Sequence, residues 1–181
     1  MSRLAPYDTS RICFGKWTED LAHQAFELYG DPEVTRYLGD GVPDASWKDT
    51  REKIRQRQQQ VVSWMPGLGR WPLLLPGDQQ LVGNLILQPL PDGNGKRTDD
   101  IEIGWHLARK FWGQGLALEA AQEGLRYALE DLKLAEVWAV VQPENQRSIR
   151  LARRLGMRSL GISQAYYGKA LELFKIERVA A

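Results

Sequence analysis

One cysteine in 181 residues leaves Cys13 with no partner, which excludes an intramolecular disulfide. No window approaches the run of about 18 apolar residues that a membrane-spanning helix needs, so no membrane partner is expected. The segment after Met1, with Pro6 and Asp8 close behind, lacks the apolar core of a signal peptide, and the expected residence is cytoplasmic. Neither charge sign dominates. With 24 Lys and Arg against 23 Asp and Glu the formal net charge is +1, too little for a global field that would draw the chain to nucleic acid. Recognition must be local. Internal repeats and low-complexity tracts are absent, and the length suits one domain over residues 1–181 with a real core.

Element signals alternate between strands and helices. Ile12 to Phe14 suggests a first strand, after which Thr18 is placed to cap a helix bearing Leu21, Ala22, Ala25, Phe26, Leu28 and Tyr29. Gly30-Asp31-Pro32 should stop that helix, and a shorter helical piece is expected around Val34 to Leu38. Ser46, with Asp49 three residues on, opens a polar helix through about Val62. Arg70 to Leu75 and Leu81 to Gln88 flank the turn residues Pro76-Gly77-Asp78 and predict an antiparallel hairpin. Pro89 to Asp99, rich in Pro and Gly, predicts a loop. In the next strand Ile101, Ile103, Trp105 and Leu107 share one face and Glu102, Gly104 and His106 the other. A helix to about Asp131, a strand over Glu136 to Val141, a helix containing Ser148 to Leu155, and strands over about Arg158 to Tyr166 and Leu171 to Arg178 complete the order.

The most informative stretch runs from Phe111 to Ala121, where Gly113 and Gly115 lead directly into a strong helix former. Two glycines so placed let the chain turn without Cβ interference, bringing main-chain N–H groups to the positive end of the helix. An anion belongs there, a pyrophosphate foremost. An ordinary strand-to-helix connection is the plainer reading of the same residues.

Four segments in order carry a resemblance: ELYGDPEVTRYLG after the first helix, EIGWHL before the turn, WGQGLALEA at it, and PENQRSIRLARRLGM beyond the next strand. Together they resemble the GNAT acetyltransferases, and among them the RimJ/RimL branch. The resemblance implies an α/β (α+β) fold: one mixed, mostly antiparallel sheet of about six to seven strands flanked by helices, with a splayed V between the two central strands. It implies an N-acetyltransferase moving acetyl from acetyl-coenzyme A to a primary amine by direct attack, without a metal. That amine is either a protein N-terminal α-amine or a small molecule.

The family turn is written as Gln or Arg, two variable residues, Gly, one variable, then Gly or Ala. Here Gly115 and Ala117 fit, and Trp112 stands in the Gln/Arg position, as is common in this branch. By resemblance, Trp112, Gly113, Gln114, Gly115, Leu116, Ala117 and Leu118 form the coenzyme A cradle. Trp105 and Leu107 offer a strand edge to the pantetheine, and the Leu107 N–H is the expected oxyanion donor. Asn145 and Ser148 form the branch's Asn-x-x-Ser pair, Asn145 for pantetheine and Ser148 to return a proton to the leaving thiolate. Many GNAT members use a tyrosine one turn later; Ala152 stands there, so Ser148 becomes the leading acid. From helix statistics alone Asn145 is a cap and Ser148 a first-turn residue.

The amine must be neutral to attack, which costs lysine about 3.5 kcal/mol more than an α-amine at neutral pH. Glu102 is the expected base, directly or through water, with His106 a weaker rival on the same face; a solvated outer-face glutamate is the plainer reading of Glu102. Arg109, Lys110, Arg147, Arg150, Arg153 and Arg154 are candidates for the 3′-phosphate. Trp17, Trp64, Trp71, Tyr37 and Tyr166 are candidates for the acceptor pocket, and the modest clustering of Glu33, Asp40 and Asp44 favours an α-amine or a weakly charged small molecule. A non-catalytic acyl-coenzyme A module and a purely structural interaction domain are the rival functions. A homodimer is the general expectation for soluble chains.

Overall fold

The computed structural model describes residues 5–178, which build one seven-stranded sheet in the order β1-β2-β3-β4-β5-β7-β6. The strands are β1 (Cys13–Phe14), β2 (Gly69–Leu74), β3 (Leu81–Pro91), β4 (Arg97–Leu107), β5 (Glu136–Val141), β6 (Arg158–Ser163) and β7 (Leu171–Glu177). The helices are α1 (Ala22–Tyr29), α2 (Pro32–Thr35), α3 (Trp47–Val61), α4 (Leu116–Arg126) and α5 (Gln146–Arg154). Every strand pairs antiparallel with its neighbour except β4 with β5, which run parallel. That parallel pair has a single registered partnership, Glu102 opposite Trp138. The expected mixed sheet and its strand count are present.

Local chemistry explains several helix starts. Asp31 caps α2, its carboxylate accepting from the Glu33 N–H at 2.9 Å with Pro32 at the first helical position. Ser46 Oγ accepts from the Asp49 N–H at 3.3 Å and opens α3. Past Arg126 the helix widens into a π turn over Tyr127–Asp131, where the Leu132 N–H reaches back to the Tyr127 carbonyl.

Three expectations need correction. Thr18 makes no side-chain cap bond: a 3₁₀ turn over Glu19–Leu21 precedes α1 and uses the Thr18 carbonyl instead. The second helical piece begins at Pro32 rather than Val34. The loop expected over Pro89 to Asp99 contracts to a turn, because β3 continues to Pro91 and β4 starts at Arg97. Pairing of β3 with β2 ends at Leu87, so Pro89 and Pro91 lie where one side of β3 has no registered strand and a missing N–H costs no ladder bond.

The two faces of the central strands receive different helices. On one face Gly124 of α4 meets Leu85 and Ile103; a Cβ at Gly124 would fall 2.6 Å from Leu85 Cδ2 and 3.0 Å from Ile103 Cδ1. Leu85, Leu87 and Ile103 are at most 1 % exposed, each burial stabilising the fold by roughly 1.5–3 kcal/mol. The opposite face carries Asn84, Ile86, Gln88, Glu102, Gly104 and His106, and α1 crosses it: Tyr29 Oη lies 3.0 Å from His106 Nε2. Apolar packing secures the first face, and polar side chains line the second.

Candidate active site

The glycine turn has the backbone that its sequence demands. Gly113 and Gly115 both lie in the left-handed region, at φ 76° and 80°. A Cβ would meet nothing at Gly113 and only Arg11 Nη2, 3.6 Å away, at Gly115. Glycine is therefore required by conformation, not by space. Among the described residues, none of the main-chain N–H groups from Gly113 to Leu118 has a protein acceptor; the first bond back is from Glu119 to the Gly115 carbonyl at 3.1 Å. Six donors at a helix start, on a segment exposed from Gly113 to Gly115, can hold an anion. The Glu119 carboxylate would oppose one, but Thr9 and Arg11 hold it, the latter in a 2.5 Å ion pair.

Trp112 braces this turn. Its Nε1 donates to the Leu107 carbonyl at 2.8 Å, tying the turn to the end of β4, and the Arg147 guanidinium lies 4.3 Å from its ring centre. Of the basic candidates, Arg109 pairs with Asp31, Lys110 with Glu27 and Arg153 with Glu172. Arg147 touches the turn through Trp112.

A cavity of about 730 Å³ opens on the polar face of the sheet. Its lining includes Ile103 to His106 of β4 and Ala139 to Gln142 at the end of β5, then Asn145 and Ser148. Gly83 opposite Leu107 is a non-hydrogen-bonded pair, since the Ala108 N–H donates to the Val82 carbonyl at 2.9 Å. In such a pair the main-chain groups point away from the partner strand, so those of Leu107, and of Trp105 two residues earlier, face the β5 side. Registered pairing with β5 stops at Glu102. The side chain of Leu107 is buried at 5 % exposure, as a core residue should be.

Asn145 is the cap of α5: its Oδ1 accepts from the Ser148 N–H at 3.2 Å. The cap role and a ligand role coexist, because Asn145 Nδ2 and Ser148 Oγ have no protein partner among the described residues while both residues line the cavity. Ala152 is fully buried on the same helix.

Glu102 is not solvated; it is 5 % exposed. Its Oε1 accepts from Gln88 Nε2 at 2.5 Å and from the Tyr167 hydroxyl, and Gln88 in turn accepts from Arg70 at 2.7 and 3.0 Å. Oε2 has no protein partner among the described residues. Burial pushes the Glu102 carboxyl up, against the opposing pull of Tyr167, Gln88 and Arg70, and burial with the Glu102 charge pushes the Tyr167 hydroxyl up. His106 goes the other way: burial, with the charges of Arg57 and Arg70, lowers it to about 3. A histidine so depressed is a poor base, which leaves Glu102 without that rival.

Of the aromatic candidates, Trp17, Tyr37 and Trp71 line the cavity. Trp64 instead lies beneath Arg70, at 5.2 Å, and Tyr166 donates to Asp100 at 2.6 Å away from the cavity. Sequence reasoning missed Tyr29, Arg57, Arg70, Gln88 and Tyr167. Tyr167, itself 38 % exposed, reaches Glu102 with its hydroxyl from a left-handed residue at φ 57°.

Residues 11–158 match the family model of the acetyltransferase (GNAT) domain. The chain belongs to the GNAT acetyltransferases. GNAT enzymes take their acetyl group from acetyl-coenzyme A, and this one is of the RimJ/RimL-like kind. It is 34 % identical over 146 residues to the FsC-acetyl coenzyme A-N(2)-transacetylase of Aspergillus fumigatus, covering 78 % of this chain and 58 % of that protein. The chain thus spans under two thirds of that relative's length. An uncharacterized N-acetyltransferase, p20 of Bacillus licheniformis, is 28 % identical over 87 % of this chain and 85 % of its own. A GNAT acetyltransferase of Bacillus anthracis superposes with a TM-score of 0.75 at 25 % identity, over 94 % of this chain and 97 % of that one. RimL, solved in complex with coenzyme A, shares the fold at a TM-score of 0.72 and 15 % identity, over 93 % and 95 % of the two chains.

Proposed function

We propose that this GNAT enzyme acetylates a primary amine, either a protein N-terminal α-amine or a small-molecule amine, by direct attack on acetyl-coenzyme A. The observation that carries the reading is the run of unpartnered N–H groups from Gly113 to Leu118, joined through Trp112 to the strand edge that borders the cavity. Gly113 to Leu118 would grip the pyrophosphate, and Arg147 is the basic residue best placed for a phosphate beside them. The β5-facing main chain of Trp105 and Leu107, with Asn145 Nδ2, suits the pantetheine amides. The lone registered pair between β4 and β5 supports a parting of these strands to admit it.

When bound, the coenzyme supplies an acetyl group on a good leaving thiolate. The Leu107 N–H stabilises the negative charge that develops on the carbonyl oxygen. Glu102, its carboxyl pushed up by burial and its Oε2 open, takes a proton from the amine directly or through water, while Gln88 and Tyr167 hold Oε1 still. Ser148 Oγ passes a proton to the sulfur and regains one from solvent, to which Glu102 releases the proton it took. Calorimetric titration with coenzyme A and a thiol-release screen over an amine panel, run with Ser148→Ala alongside, test the reading. Coenzyme A binding with no turnover on any amine would favour a non-catalytic acyl-coenzyme A module, whereas no binding at all would overturn both.

A further inference from the structure

The charges on the cavity wall do not balance. Five cationic side chains line it against three anionic ones, and of those three only Asp44 is in an ion pair among the described residues. Asp44 is bound by Lys53 at 2.5 Å and by Thr50 at 2.6 Å, Asp40 accepts from the Val42 N–H, and Glu102 is held by Gln88 and Tyr167. Of the cations, Lys53 is spent on Asp44, and Lys169 donates to the Gly39 carbonyl.

Arg57 and Arg70 differ from these. Arg57 of α3 lies over the Tyr29 ring at 4.9 Å and forms no ion pair among the described residues. Among the described residues Arg70 of β2 bonds only the neutral Gln88 amide, and it stacks on Trp64. Burial and then the Arg57 charge lower the Arg70 pKa, and the fields of both guanidinium groups reach Tyr29 and His106. Two half-buried cations in one cavity with no carboxylate in direct contact among the described residues, only the Glu102 charge acting on Arg70 across Gln88, are costly unless something anionic joins them. Guanidinium forks are the side chains best matched to a carboxylate or phosphate.

Resting on the acetyltransferase reading above, we propose that Arg57 and Arg70 form an anion subsite in the acceptor half of the cavity, so that the acceptor is a small amine bearing a carboxylate or phosphate. The geometry gives a length. Arg70 and Glu102 are linked through the single side-chain amide of Gln88, so the anion and the reactive nitrogen lie only a few bonds apart, as in an amino acid or an aminoalkyl phosphate. The same cations oppose an incoming ammonium and favour the neutral, nucleophilic amine. Polyamines, which are cationic throughout, are disfavoured.

The test uses matched amines that differ only in the anion: amino acids against their α-carboxamides, and ethanolamine phosphate against ethanolamine. Thiol release from acetyl-coenzyme A is measured for the intact enzyme, Arg57→Gln, Arg70→Gln and Arg57→Lys. The intact enzyme should favour one anionic series by about tenfold or more in kcat/KM, and the favoured series identifies the group. Each Gln variant should shrink the preference to about threefold or less, with Arg57→Lys retaining part of it. Equal turnover of acid and amide, or a loss in both Gln variants that falls equally on the two, would overturn the proposal. Should Arg70→Gln fail to fold, Arg57→Gln, which removes no ion pair among the described residues, carries the comparison.

A readout independent of turnover is the melting temperature with coenzyme A saturating the glycine turn, titrated with sodium acetate or inorganic phosphate at constant ionic strength. A rise of about 2 °C in the intact protein that is absent in Arg57→Gln supports the subsite, and no rise in either overturns it. An anion shift retained by a protein that does not bind coenzyme A would sink the acetyltransferase reading while upholding the subsite.

Discussion

Replacing Glu102 by glutamine tests the chemistry most directly, because the two side chains have the same shape. The carbonyl of the introduced amide can take the Oε1 position and keep both bonds, from Gln88 and Tyr167, while its nitrogen occupies the Oε2 position that faces the cavity. Proton acceptance and the negative charge are lost. A positioned base contributes about 100- to 10,000-fold, so kcat/KM should fall by that factor, or about 3–5 kcal/mol of barrier, with coenzyme A affinity unchanged. Stability should move the other way. Burial raises the folded-state pKa of Glu102 above its unfolded value. The folded protein therefore holds the extra proton, a contribution that is complete below the unfolded value near ~4.3 and is lost as pH rises through the folded value. At pH 8 the wild type bears a buried charge that Glu102→Gln lacks, so the variant should be as stable or more stable by about 1 kcal/mol, and the gap should close by pH 4. Urea melts at the two pH values and thiol-release kinetics from pH 5 to 9 measure both effects. A variant retaining more than about a third of wild-type kcat/KM with an unchanged pH profile would refute the base assignment. One destabilised by several kcal/mol at pH 8 would show that the carboxylate serves the fold instead.

Gly115→Ala should cost about 1–2 kcal/mol of stability from the left-handed backbone alone, since the space around it is open, and should weaken coenzyme A about tenfold by calorimetry. Ser148→Ala should lower kcat by about 10- to 100-fold while leaving coenzyme A affinity within about twofold; an unchanged kcat across pH would remove Ser148 from the mechanism. His106 should stay neutral throughout pH 5–8 by NMR. Because its folded-state pKa is depressed to about 3, its contribution is complete above the unfolded value near ~6.5 and is lost as pH falls through the folded one, so His106→Gln should flatten that part of the acid-unfolding curve.

Much of the chain was legible because its signals are local. The Ser46 cap acts within three residues, and Gly113 and Gly115 need left-handed backbone whatever packs around them. β5 spans Glu136–Val141, the bounds its apolar run predicted. Local signals also misled. The prolines at 89 and 91 were read as ending a strand, and only the extent of β2, which stops pairing at Leu87, makes them tolerable inside one. Glu102, with ordinary strand neighbours, carried no sign of its burial.

What the amino-acid order determined by itself is the half of the site proposed to hold the coenzyme. A phosphate cradle is a property of consecutive main-chain donors, and a cap such as Asn145 reaches a donor three residues away. What only the tertiary structure decided is the half proposed to receive the acceptor. Arg57, Arg70, Gln88, Glu102 and Tyr167 come from α3, β2, β3, β4 and the turn before β7. Gln88 meets Glu102 because antiparallel register sets them opposite each other, and Tyr167 meets them because the chain turns left-handed there. Side-chain charge and hydrogen bonding act through space over a few ångströms, so which groups form that pocket follows from strand register and helix placement, which no short window of sequence contains.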